Sequence, residues 1–275
     1  MKIIHEQFES FGQYLTAIDG RPINKVFKHR LPASQTRGRD DFMMTYDYAE
    51  ASELAKVGYK DGLDALKAVS TKSRHMESAL KNMPTTGVVG YAPHVPNAIT
   101  GVPLSMITKQ PVEQKAKVIS ILYYMGGASK IDTSEFVEAG KNILNVIYSL
   151  ELQGYRVALY VMTNFCGKYE RALCTVQVKH WRQPSNPLKI AYPLVHPSFF
   201  RRHGFRWIET QPEITDNDFS DAYGRPLDNS EGSCPGDRRR WLTENGLLKA
   251  GWFYTERIEA QNNEADELIK LMGIA

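Results

Sequence analysis

Cysteine is scarce in this sequence, and long apolar runs are absent. Cys166, Cys174 and Cys234 are the only cysteines among 275 residues. Their number is odd, and neither a CxxC pair nor paired histidines accompany them, which argues against a disulfide framework and a structural zinc site. No stretch reaches the ~18 apolar residues of a membrane span, and residues 1–8 lack the features of a secretory signal. We therefore expect reduced thiols, a cytoplasmic location and no membrane partner.

The chain also lacks a strong net charge and the common catalytic motifs. Its 34 basic and 31 acidic residues give a formal charge of +3, so the total does not demand a nucleic acid, although local patches can still bind one. There is no nucleophile elbow, phosphate-cradling glycine loop or HExxH pair. These absences favour a protein without enzymatic activity, cofactor or metal.

What is present is a strand, a small-residue loop, a helix and a second strand within residues 118–161. The apolar runs at 118–124 and 155–162 have the length and the Val, Ile, Leu and Tyr content of buried strands. Between them, residues 133–152 place apolar side chains at helical spacing. This pattern predicts a βαβ crossover in a parallel sheet, with any ligand at the carboxyl ends of the strands, just after Tyr123.

The remaining residues predict further helices and strands around this crossover. The predicted helices span 7–18, 46–56, 60–81 and 261–272, and the additional strands span 172–178 and 188–194. Residues 87–107 contain several prolines and glycines, which predict a stiff but irregular path. We therefore predict an α/β protein with a central, mainly parallel sheet flanked by helices. The predicted domains are a helical N-terminal region at 1–110, the core at 111–228 and a C-terminal extension at 229–275.

The strand, loop and helix order resembles the start of the von Willebrand factor A-like fold, a Rossmann-type core. In that family an Asp-x-Ser-x-Ser loop holds a divalent cation through oxygen ligands. Here Tyr124 takes the Asp position, and Gly126 and Ala128 take the two Ser positions. A shift of one residue places Ser129 last but supplies no carboxylate. The resemblance therefore implies the fold with a degenerate ion loop, and Tyr124 and Ser129 become candidate contacts for another surface.

Asp132 and Ser134 are two further oxygen sources close to this loop. They could contribute to a metal site, or they could cap the first turn of the following helix, where Asp, Ser and Thr satisfy unpaired N–H groups. Asp132 is kept as a candidate binding residue under both interpretations.

A second resemblance rests on residues 91–98, 101–106 and 196–202, together with the helix that begins near residues 48–51. Taken together, these segments look like an uncharacterised family of phage-encoded proteins, over about residues 42–226. The resemblance implies a viral gene expressed in the cytoplasm of the infected bacterial host, and it supplies no catalytic residues.

Residues 196–209 combine aromatic side chains with arginines and histidines. If the segment binds an anion, its arginines hold phosphate and a histidine transfers protons. If it is structural, its aromatic side chains pack inward, and its arginines pair with acidic residues or cap backbone carbonyls. The candidate binding residues of this segment are His196, Arg201, Arg202, His203 and Arg206.

Two smaller groups complete the set of candidates. His94 and Asn97 lie in the proline-rich stretch, where they either face a cleft or bond the local backbone. The cluster at 238–241, Arg-Arg-Arg-Trp, could join Arg201 and Arg202 in a nucleic-acid face. The sequence favours a non-enzymatic protein-binding or assembly protein that contacts another protein or another copy of itself. The alternative is a nucleic-acid-binding or processing protein that uses residues 196–209 and 238–241.

Overall fold

The computed structural model describes residues 1–28, 31–38, 43–60, 82–111, 117–126, 131–183, 186–215, 219 and 238–274. Its strands are β1 Lys2–Phe8, β2 Asn82–Gly87, β3 Ala92–Pro93, β4 Met106–Pro111, β5 Val118–Tyr124, β6 Arg156–Cys166, β7 Glu170–Lys179 and β8 Trp252–Glu256. Its α-helices are α1 Phe11–Gly20, α2 Tyr48–Val57, α3 Val95–Ile99, α4 Thr133–Leu152, α5 Pro187–Val195, α6 Phe205–Glu209, α7 Arg238–Glu244, α8 Arg257–Asn262 and α9 Ala265–Met272. A π-helical turn, Phe199–Gly204, precedes α6.

The central sheet contains five strands in the order β1-β7-β6-β5-β8. Strand β5 runs parallel to both β6 and β8, and β1 runs parallel to β7. The hairpin between β6 and β7 is antiparallel. The predicted α/β fold, with a mainly parallel sheet flanked by helices, is therefore confirmed, and the core is Rossmann-like.

The predicted crossover is also confirmed, as β5, α4 and β6. Helix α4 begins with a capping box, in which Asp132 accepts from the Ser134 backbone N–H and Glu135 reaches back to the Asp132 N–H. Its buried side chains recur every three or four residues, so one face lies on the sheet. A Cβ at Gly140 would lie 2.5 Å from Val195 Cγ1, so glycine allows α5 to approach α4 closely.

The sheet has two covered faces. On one face, the inward side chains of the strands pack against α1, α4, α5, α8 and α9 in the larger apolar cluster. On the other face, Leu122, Tyr160 and Met162 pack with Trp241 and Leu242 of α7. The strands are therefore enclosed along most of their length, and their ends are where a ligand can approach.

Several predicted elements differ from those observed. Residues 188–194 were predicted as a strand, but they form α5, because Asn186 caps the Leu188 N–H and Pro187 occupies the first turn. Strands β1 and β8, which extend the sheet at its two edges, were not predicted. The predicted terminal helix at 261–272 is divided between α8 and α9.

The N-terminal helices follow the prediction with shifted boundaries. Helix α1 starts at Phe11, where Ser10 caps the Gln13 N–H. Helix α2 is capped by Asp47 and ends at Gly58, whose φ of 100° suits glycine. The second helix of the predicted pair, at 60–81, lies almost wholly outside the described residues.

The proline- and glycine-rich stretch forms a second, smaller sheet in place of the irregular path that was predicted. Its antiparallel order is β2-β4-β3, and α3 follows β3. Among the described residues, no helix is long and apolar enough to cross a membrane.

Candidate functional site

The carboxyl ends of three parallel strands meet at one edge of the central sheet. Strands β5, β6 and β8 end there at Tyr124, Cys166 and Glu256. Helices α4 and α8 begin beside the ends of β5 and β8, so their amide N–H groups lie near the same edge. This edge is the place that the crossover predicted for a ligand.

Tyr124 does not face a partner surface, because it is buried at this edge. Its hydroxyl donates to Asn164 Oδ1, and the Arg238 guanidinium lies 5.0 Å from its ring centroid. A Cβ at Gly126 would collide with the Tyr124 hydroxyl. The prediction that Tyr124 contacts another surface is therefore wrong, since its side chain is 2% exposed. Ser129 lies outside the described residues.

Asp132 serves as the N-cap of α4. Its Oδ1 accepts from the Ser134 N–H at 3.0 Å and from the Ser134 hydroxyl at 3.1 Å. The backbone hydrogen bond from Ser134, followed by the hydroxyl bond, lowers the pKa of Asp132. The capping interpretation is confirmed. In the part of the chain that the structure describes, no group of three His, Cys, Asp or Glu side chains could hold a metal ion.

His94 and Asn97 hold the chain around α3 through local bonds. His94 is the N-cap of α3, and its Nδ1 accepts from the Asn97 N–H at 3.4 Å. The Asn97 side chain donates to the Leu104 carbonyl oxygen at 2.9 Å. This is the local backbone bonding that the sequence left open as an alternative to a cleft.

Arg202 is fully buried and binds two chain segments from the N-terminal region. Its guanidinium donates to six oxygens at 2.6 to 3.3 Å. These oxygens are the carbonyls of Ser34, Thr36, Thr45 and Tyr46 and the hydroxyls of Thr36 and Thr45. The arginine therefore caps backbone carbonyls, as the structural interpretation expected.

Arg206 and Arg202 bind different chain segments, since Arg202 lies in the π-helical turn and Arg206 lies in α6. Arg206 Nε donates to the Ile18 carbonyl oxygen at 3.3 Å. The aromatic side chains Phe199, Phe200, Phe205 and Trp207 are all buried in the core. The segment 196–209 is thus an internal element, and the expectation that it forms a nucleic-acid face is wrong.

His196 and His203 are buried, and both contact Tyr192. The Tyr192 hydroxyl lies 2.8 Å from His203 Nδ1, and the His196 ring stacks on the Tyr192 ring at 5.4 Å between centroids. Burial, followed by the nearby His196 and Lys56, lowers the pKa of His203 to about 3. His203 is therefore neutral at pH 7 and has no access to a substrate in solution.

Arg201 and Arg257 converge on Phe136 in the first turns of α4. Their guanidinium carbons lie 5.4 and 5.6 Å from the centroid of the Phe136 ring. Arg201 Nη2 donates to the Ile131 carbonyl oxygen at 3.3 Å, and Arg257 Nη1 donates to Glu135 at 2.8 Å. Two buried guanidinium groups therefore lie beside the N-terminus of a 20-residue helix.

The Tyr123 side chain lies on the helix-covered face of the sheet at this edge. Burial raises the pKa of the Tyr123 phenol, and the nearby positive charge of Arg257 opposes that rise. Tyr123 pairs in register with Thr255 of β8, and Arg257 follows Thr255 by two residues. The phenol is thus a protonated group close to the Arg257 guanidinium.

Sequence reasoning missed Arg257, Glu135, Asn164 and Glu256. Arg257 and Glu256 follow β8, which was not predicted, although the sequence Trp-Phe-Tyr-Thr directly before them is typical of a strand. Arg238 also reaches this edge, where it pairs with Glu256, while the Tyr254 hydroxyl donates to Glu256 at 2.9 Å. Recognition of β8 as a strand would have placed these side chains at the carboxyl edge.

The turns and helix α3 that connect the strands of the smaller sheet expose apolar side chains that are close together in the sequence, here called the small-sheet apolar surface. Its members are Val88, Val89, Tyr91, Val95, Ile99, Val102 and Leu104. They are seven of the fifteen exposed large apolar side chains in the described part of the chain. Val89 is 80% exposed and Ile99 is 81% exposed. Residues 82–111 contain one charged residue, Lys109.

One family model, that of a domain of unknown function (DUF7192), matches residues 2–274. No curated protein and no solved structure matches the chain significantly.

Proposed function

We propose that this chain, which belongs to the DUF7192 family, is a non-enzymatic protein-binding or assembly protein. The small-sheet apolar surface is the observation that supports this function. Single exposed apolar residues are ordinary, but a concentration of large ones marks a contact surface. Seven such side chains within residues 88–104 form that concentration.

The partner that fits this surface is a second copy of the same chain. In a two-fold dimer, the same surface patch of each copy contacts that of the other copy. The patch must therefore be self-complementary. Lys109 is the one charged residue in 82–111, so this segment would cause little electrostatic repulsion between two copies. The interfaces of homodimers are also more apolar than transient ones.

We also propose a relationship to the von Willebrand factor A-like fold and a phage origin, both of which rest on the sequence resemblances. The order of β5, loop and α4 supports a degenerate von Willebrand factor A-like core. The segments at 91–98, 101–106 and 196–202 support a phage-encoded gene, expressed in the cytoplasm of the infected bacterium.

Charge placed on the apolar surface should dissociate the assembly. We expect the wild-type protein to sediment as a dimer or larger species in analytical ultracentrifugation. The double variant Val89→Lys, Ile99→Lys should raise the dissociation constant about 30-fold or more, because loss of an interface hot spot costs ~2 kcal/mol.

The matched control places two lysines on exposed apolar positions elsewhere, Val57→Lys and Leu271→Lys. This control should keep the wild-type dissociation constant. A wild-type protein that stays monomeric at every concentration measured, or a control that dissociates equally, would contradict assembly through this surface.

The nucleic-acid alternative now depends on residues 238–241, since Arg201 and Arg202 are buried. Arg239 and Arg240 are exposed on α7. We expect no retention of the purified protein on immobilised single-stranded DNA, even at low salt, where phosphate contacts are strongest. Retention that disappears in an Arg239→Ala, Arg240→Ala variant would favour the alternative.

A further inference from the structure

Two polar atoms on the helix-covered face of the carboxyl edge are among the buried atoms that have no hydrogen-bond partner in the described part of the chain. They are the Tyr123 hydroxyl and Arg257 Nε. Tyr123 is 0% exposed, and Arg257 is 7% exposed. Buried polar groups are nearly always bonded, so such a pair calls for a physical explanation. Tyr123 pairs with Thr255 at the end of β8, and Arg257 follows Thr255 by two residues and lies over the Phe136 ring on the helix-covered face.

The chemistry of the two atoms limits what can bind them. Arginine Nε–H can only donate a hydrogen bond, and the protonated Tyr123 phenol can donate one as well. A shared ligand must therefore accept hydrogen bonds. The Arg201 guanidinium lies on the same Phe136 ring as Arg257, and α4 presents the positive end of its dipole nearby.

Two carboxylates lie near Tyr123 and Arg257, and both already accept hydrogen bonds. Glu135 accepts from Arg257 Nη1 and from the Asp132 N–H. Glu259 accepts from the Thr255 hydroxyl at 3.2 Å and from the Glu256 N–H at 3.0 Å. The Glu135 side chain is 31% exposed, so the place borders on solvent on that side.

We propose that Tyr123, Arg257 and Arg201 form a binding site for a small oxyanion, such as a phosphate or carboxylate group. The oxygen atoms of the anion accept from the Tyr123 hydroxyl and from Arg257 Nε, and the two guanidinium groups balance its charge. The site contains no residue of the small-sheet apolar surface. The anion-binding proposal can therefore be tested independently of the assembly proposal.

Thermal unfolding in the presence of inorganic phosphate tests the site. We expect phosphate to raise the unfolding midpoint in a saturable way, since a ligand that binds the native state alone stabilises it. Sodium chloride at matched ionic strength should give no saturable rise. Acetate in a parallel titration shows whether a carboxylate is accepted as well as a phosphate.

Tyr123→Phe is the decisive variant. Without phosphate it should be as stable as the wild type or more stable, because it removes a buried hydroxyl without a partner. With phosphate its dissociation constant should rise about tenfold or more, the effect of one lost bond to a charged group. Arg257→Gln should weaken binding further.

Tyr254→Phe is the matched control, because the Tyr254 hydroxyl bonds Glu256 on the other sheet face. It should bind phosphate as the wild type does. Equal stabilisation by chloride and phosphate, or unchanged phosphate affinity in Tyr123→Phe, would overturn the proposal.

Discussion

Replacement of Arg202 by alanine should destabilise the protein by about 3–5 kcal/mol, because several buried carbonyl oxygens lose their donor together. The six bonds from this guanidinium hold residues 34–36 and 45–46 against the π-helical turn. Urea denaturation with the midpoint and slope fitted separately measures the loss. Arg202→Lys should recover only part of it, because an ammonium cannot span the same oxygens.

Arg240→Ala is the control for this experiment. The Arg240 side chain is 76% exposed and pairs with Glu244 four residues away on α7. Such a surface pair contributes at most ~1 kcal/mol. If Arg202→Ala cost no more than Arg240→Ala, the internal role assigned to Arg202 would be wrong.

Stability should fall steadily as the pH is lowered below about 6.5, owing to His203. The buried imidazole has a pKa of about 3 in the folded protein, against an ordinary histidine pKa of 6.5. Below 6.5 the unfolded chain binds a proton that the folded chain does not, so each pH unit costs ~1.36 kcal/mol until the folded pKa is reached. Between pH 7 and pH 5 the loss from this group is about 2 kcal/mol.

The variant His203→Gln isolates this contribution from the carboxylates, which titrate in both proteins. Its free energy of unfolding should change about 2 kcal/mol less between pH 7 and pH 5 than that of the wild type. Tyr192→Phe serves as the control, because it removes the 2.8 Å partner and leaves the imidazole buried. This control should be less stable at pH 7 but keep the wild-type pH dependence. An identical pH dependence in His203→Gln would contradict the argument.

The central crossover could be predicted because its signals are local. The apolar run of β5, the Asp132 cap and the helical spacing of α4 all lie within a short stretch of chain. The type and order of these elements follow from periodicity alone. The same local pattern predicts the place of the candidate site at the end of β5.

The roles of the arginines could not be predicted, because they depend on residues distant in sequence. The local sequence does not show that Arg202 is buried, because its partners are the carbonyl oxygens of residues 34, 36, 45 and 46. Tyr123 and Arg257 meet because β8 pairs with β5, and β8 is a five-residue edge strand. A short edge strand gives a weak signal in the sequence, so the second half of the candidate site was missed.

The pairing of β1 with β7 has a consequence for how fast the protein folds. Lys2 lies opposite Glu170, so the first strand finds its neighbour only after most of the chain is available. Pairing of such distant residues requires the closure of a very long loop. The entropy of loop closure is lost before the contacts form, so the pairing is slow. We expect the helices and the β6–β7 hairpin to form early and the docking of β1 to limit the rate of folding.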